Sequence, residues 1–149
     1  MATYEELIDR VEADDETVLQ DPEVSQVRDS YGRTALHYVA ARWWKRRMWL
    51  AALYHPDIHK VKNLEGITPL HIAASREVIV LYYHPEAKVM QEDGDYVIHT
   101  IARMGYISTH PDYKTLKNIW GKTPKEVWDI RIEERDTNPS DAGIYQDEV

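Results

Sequence analysis

The chain has 149 residues, is 43% apolar and 30% charged, holds neither cysteine nor phenylalanine, and carries a formal charge of −8 with its histidines neutral. The lack of cysteine excludes disulfide frameworks, thiolate nucleophiles, thiolate zinc sites and cysteine-ligated iron–sulfur clusters. No apolar run approaches the ~18 residues of a membrane span. The first residues, with Glu5, Glu6 and Asp9, do not read as an export leader, so a soluble, cytoplasmic protein is expected.

By segment the charge is −8 over residues 1–29, +6 over 30–62, −2 over 63–129 and −4 over 130–149. An acidic chain is a poor general binder of nucleic acid, whose phosphates are held by clustered Lys and Arg, so only the positive block invites that reading. In chain order, Thr3-Tyr4-Glu5-Glu6 fits a capping box, and Tyr4, Leu7, Ile8 and Val11 recur at i, i+3, i+4 and i+7. An amphipathic helix is predicted there, then a short one ending at Val18-Leu19 before Asp21-Pro22. Asp29-Ser30-Tyr31-Gly32 has the corner residues of a type I turn. Thr34 then caps a helix running through His37 to the small pair Ala40-Ala41.

The next segment, Arg42-Trp43-Trp44-Lys45-Arg46-Arg47-Met48-Trp49, interleaves cations with aromatics. Trp44, Met48 and Trp49 are expected to pack between helices, with Arg46 and Arg47 facing water or pairing with the acidic N-terminal residues. Contact with a partner, self-association and nucleic-acid binding, cations on phosphates and rings on bases, are the alternatives. A second helix follows and stops at His55-Pro56, because proline cannot continue it. The pattern returns as the turn Asn63-Leu64-Glu65-Gly66, the helix start Thr68-Pro69-Leu70-His71, the pair Ala73-Ala74 and an apolar run Val78 to Tyr83 before His84-Pro85. It returns again before Gly94, with Tyr96-Val97-Ile98-His99 and a much shorter run from Tyr106 to Thr109. A last copy begins at His110-Pro111 and passes through Asn118 and Gly121 to Thr123-Pro124.

Proline and glycine of these four copies are 10, 10, 9 and 10 positions apart, and Val27, Val61, Val89 and Leu116 stand five before the glycines. The glycines themselves are 34, 28 and 27 apart, and the loss of length falls in the second helix of each copy and the loop before it. A fixed period of this kind signals a stacked repeat.

Period, turn and the readings Thr34-Ala35-Leu36-His37 and Thr68-Pro69-Leu70-His71 together resemble the ankyrin repeat, a turn plus two antiparallel helices. The resemblance covers about residues 21–130. It departs where no copy keeps Gly-His between its helices, where the second and third copies are short, and where Lys125-Glu126 replaces Leu-His. It implies an all-α fold, an ankyrin-repeat solenoid with hairpin-like turns. Residues 1–135 would form one domain: an N-terminal cap over 1–20, repeats over 21–54, 55–83 and 84–109, and a C-terminal capping repeat over 110–135. An acidic, loosely held tail is expected over 136–149.

The resemblance also implies that His37, His71 and His99 bond to backbone near the turns. Equivalent residues on helices packed roughly 8–10 Å apart do not share one zinc ion, whose ligands stand about 2.0–2.1 Å away. No metal site and no cofactor are expected. No nucleophile elbow, phosphate-binding glycine loop or His-Glu-x-x-His is present, so no enzyme is expected either. The resemblance implies instead a protein-protein interaction module, monomeric, binding through its concave face and turn tips. Its contact positions are Tyr31, Arg33, Arg42, Trp43, Leu64, Glu65, Ile67, Arg76, Asp93, Arg103, Ile119 and Trp120, with Asp95 beside them. Tyr, Trp and Arg are enriched in binding hot spots, and a turn needs no apolar residue at its tip. The alternative is a small acidic inhibitor or decoy of a host or nucleic-acid-binding target, of bacterial or viral type, using the acids of 5–23 and 133–148.

Overall fold

A computed structural model describes residues 2–137, and all but the first two residues of the tail expected over 136–149 lie outside them. The described residues are all-helical, with seven α-helices and no strand, and no helix among them is long and apolar enough to cross a membrane. The chain divides into two compact units, residues 1–77 and 78–149.

In the first unit, α1 (Tyr4–Glu12) begins where the Thr3 hydroxyl accepts the Glu6 N–H at 3.1 Å, and it buries Leu7 and Val11. Two single 3₁₀ turns follow, Glu16–Gln20 and Pro22–Ser25, capped by the carboxylates of Asp15 and Asp21. Helices α2 (Ala35–Ala41), α3 (Arg46–Leu53) and α4 (Pro69–Arg76) complete the unit, with α2 lying against both α1 and α4. Its core holds Leu7, Val18, Leu36, Trp49, Ile58 and Leu70, none more than 1% exposed. Ala40 and Ala73 are buried as well, and small side chains there allow α2 and α4 to approach closely.

The second unit contains α5 (Ile79–Tyr83), α6 (Val97–Arg103) and α7 (Pro124–Thr137), with single 3₁₀ turns over Pro85–Lys88 and Pro111–Lys114. Helix α6 packs on α7, burying Ile98, Ile101, Val127 and Trp128. Helix α7 extends to Thr137, two residues into the stretch expected to be loose.

Each unit holds two copies of one local device. Asp29, Asn63, Gln91 and Asn118 open turns closed by N–H bonds from Gly32, Gly66, Gly94 and Gly121. In each, the first corner and the residue after the glycine also bond across the turn, as Asp29 N–H does to Arg33 O at 2.9 Å. The carboxylate or amide oxygens of Asp29, Asn63 and Asn118 accept two further N–H groups inside their own turns. Gln91 is too long for that bond.

The first-unit turns are also linked, since Leu64 N–H donates to Tyr31 O at 3.0 Å. That approach requires glycine at 32, where φ is +77° and an added Cβ would stand 2.9 Å from the Leu64 nitrogen. Gly66 has a similar φ of +81° with nothing within 4 Å. Gly32→Ala should therefore cost about 2–3 kcal/mol and Gly66→Ala only about 1 kcal/mol. Urea denaturation of the two variants checks the difference.

Candidate functional site

Behind each turn stands a helix start, built to hold the turn in place. In α2 and α4 the Thr34 and Thr68 hydroxyls accept the N–H of His37 and His71, while each histidine Nδ1 accepts the threonine N–H at 3.1 and 2.9 Å. This is a capping box with histidine where glutamate usually stands. His37 Nε2–H donates onward to Ile67 O at 2.8 Å, and His99 Nε2–H is shared between Leu116 O and Lys122 O. Each of these rings thus ties its own helix start to the next turn of the same unit. Burial, the largest influence, holds His37 and His99 below the ordinary histidine range, although their carbonyl bonds act the other way. In α7 the box is made by Thr123 and Glu126, with bonds of 3.2 and 3.1 Å. The Thr123 N–H and hydroxyl hold the Glu126 carboxyl below its usual range.

The turn tips carry large apolar side chains. In the first unit Tyr31 is 65% and Leu64 77% exposed. The Arg33 guanidinium lies 4.8 Å from the Tyr31 ring centre while its Nε bonds the Asp29 carboxylate at 2.7 Å. Glu65 and Arg76 are exposed, whereas Ile67 is half-buried with its carbonyl engaged by His37. In the second unit Ile119 and Trp120 are exposed on the tip and Asp93 on the neighbouring turn. Ile119 N–H donates to Gly94 O, and the Ile119 side chain lies over Gly94.

Asp95 does not face a partner, as expected of it, but is buried at 3% exposure. Its carboxylate accepts from Arg103 Nε and from Asn118 Nδ2, each at 2.9 Å. The half-exposed Arg103 is thereby oriented from beneath, and the Asn118 amide that shapes the Ile119-Trp120 tip is fixed in orientation. The need for a partner to that buried amide draws Asp95 inward.

The Arg42–Trp49 segment is divided by the fold. Met48 and Trp49 are buried, and Trp49 Nε1–H donates to Ala40 O at 3.0 Å. Trp44, expected between helices, is instead 54% exposed and meets the 42% exposed Trp43 edge to face at 6.1 Å. It precedes α3, so it lies off the face that Met48 and Trp49 turn inward. The Arg42 guanidinium is 5.1 Å from both the Tyr38 and Trp44 ring centres, and it bonds Glu12, which also accepts the Tyr38 hydroxyl.

Three ion pairs join the acidic and basic segments of the first unit: Glu12 with Arg42, Asp14 with Lys45, and Glu16 with Arg47. Arg46 turns elsewhere and bonds Glu77 at 2.6 Å. The +6 block therefore meets the −8 block inside one unit. Each exposed pair stabilises by only about 0.2–1 kcal/mol, but together they occupy cations that would otherwise attract phosphate.

Sequence reasoning missed the outer face of the second helices. Arg47, Leu50 and Ala51 of α3 and Tyr54, its C-cap, stand at helical spacing and are all exposed, Tyr54 by 83%. Ile79, Tyr82 and Tyr83 of α5 are exposed too. The 47, 50, 51, 54 spacing was the available signal, obscured because the run from Met48 to Tyr54 is apolar nearly throughout. Compared with known proteins, the chain matches no family profile and no curated sequence.

Proposed function

We propose that this chain is a non-enzymatic protein-binding module of ankyrin type, taking a protein partner on the turn tips of its repeats. The observation that carries the reading is the pairing of satisfied turns with apolar tips. Asp29, Asn63 and Asn118 complete the turns by themselves, yet Tyr31, Leu64, Ile119 and Trp120 stand 61–77% exposed on them. Apolar side chains left largely exposed on rigid turns suit anchoring in a partner's pockets.

The repeated turn, threonine cap and histidine bridge support the ankyrin resemblance. Nucleic acid is disfavoured because Arg42, Lys45 and Arg47 already pair with carboxylates. The inhibitor or decoy reading is weakened by the same pairs, which engage Glu12, Asp14 and Glu16.

The test is affinity capture with the wild-type chain beside a Tyr31→Ala, Trp43→Ala, Trp120→Ala triple variant. Exposed positions of this kind change stability by about 0.5 kcal/mol or less each, so the variant should melt within a few degrees of wild type. It should also lose the captured partner by more than tenfold. Equal capture by both proteins removes the tip assignment. Capture that vanishes in about 0.5 M salt, where exposed charges are screened, moves the choice to the acidic decoy.

A further inference from the structure

Six of the seven histidines share one use of one atom. His37, His71 and His99 accept the N–H of Thr34, Thr68 and Tyr96 on Nδ1 at 3.1, 2.9 and 3.2 Å. His55, His84 and His110, each before a proline, accept the N–H of Asp57, Glu86 and Asp112 on the same atom at 3.0–3.1 Å. An amide is always the donor, so Nδ1 is bare in all of them. Protonation at Nδ1 sets a donor against a donor and breaks the bond. In the first three, no more than 2% exposed, it also buries a charge.

The groups facing His37 and His99 do not rescue the charged form. Around His37 stand Arg28 and Arg33 against one carboxylate, Asp29; around His99, Asp95 is offset by Arg103. The Thr34 hydroxyl, 2.9 Å from His37 Nδ1, is neutral and offsets no charge.

We propose that His37 and His99, one in each unit, make this an acid-released scaffold, whose turns hold at neutral pH and loosen when the surroundings become mildly acidic. The sign follows from the buried neutral rings. Their folded-state protonation lies below the ordinary value of about 6.5, so the stabilisation is complete above that pH and is lost as pH falls below it. The proposal is independent of which partner the tips take. The two rings are isolated by substitution.

Glutamine serves at this position of a capping box and does not titrate, and Glu126 already fills it in α7. The test is urea denaturation of the full chain between about pH 7.5 and 5.5, since the slope of stability with pH counts protons taken up on unfolding. Wild type should take up more than one proton near pH 6, its unfolding constant rising more than about tenfold per pH unit. His37→Gln and His99→Gln should each reduce that rise by up to about tenfold. A wild-type change below about threefold, or a rise unaltered in both variants, overturns the proposal. Should a variant fail to fold, imidazole nitrogen NMR of the wild type at neutral pH decides: bare Nδ1 in His37 and His99 upholds the proposal, and Nδ1–H refutes it.

Discussion

Leu70→Asp is expected to unfold the first unit outright. Leu70 is fully buried in α4, and its backbone N–H already donates to Ile58 O at 2.9 Å. Truncating a buried leucine to alanine costs about 2–5 kcal/mol. Aspartate adds a carboxylate with no partner, which must stay charged in apolar surroundings or take up a proton. The sum is on the order of 5 kcal/mol or more, comparable with the whole stability of a typical domain. Far-ultraviolet circular dichroism should show helix loss at 25 °C, which is about the usual reference temperature for such stabilities. A cooperative melt within a few degrees of wild type would mean that α4 is not packed as described.

The second large effect separates two neighbouring tryptophans. Trp49→Ala should cost about 3–5 kcal/mol, the range for removing a buried aromatic side chain, since Trp49 is 1% exposed and its indole N–H satisfies Ala40 O. Trp44→Ala should change stability by about 0.5 kcal/mol or less, as surface substitutions do. Trp49→Phe should fall between, retaining much of the volume but leaving Ala40 O unsatisfied. Chemical denaturation of the three variants supplies the comparison, and equal losses at 44 and 49 would contradict the division of this segment.

Local devices were legible in the sequence because their chemistry is complete within a few residues. Asp29 and Gly32 specify a turn between themselves, and Thr34 and Thr68 find their N–H partners three residues on. Shrinkage of the second helices was legible for the same reason: the interval before each proline measures it directly. The pairing of residues 12–16 with 42–47 was visible only as opposite charge, because choosing Glu12 for Arg42 or Glu16 for Arg47 depends on how the chain brings two distant segments together.

Direction was the harder quantity. Trp44 and Trp49 lie in one basic, aromatic run, yet one belongs to the turn before α3 and the other to the buried face of that helix. Asp95 occupies a position that varies freely in the resembling repeats, but here Asn118 and Arg103 give it two partners and draw it inward. Composition identified residues able to bind something; it did not distinguish an external partner from an internal one.

The second helix dwindles along the chain, from eight residues in α3 to five in α5, while residues 104–109 contain none. In that last interval Gly105 turns the chain at φ +102°, and Ile107 and Thr109 are exposed before the chain re-enters at His110. The interval is therefore the natural place to lengthen this protein. Each doubling of a flexible loop costs only about 0.6 kcal/mol in closure entropy, and Tyr106 to Thr109 hold no buried side chain, the Ser108 hydroxyl that accepts the His110 N–H being the bond to keep. A reporter peptide or an engineered helix could be accommodated there while every turn tip keeps its support.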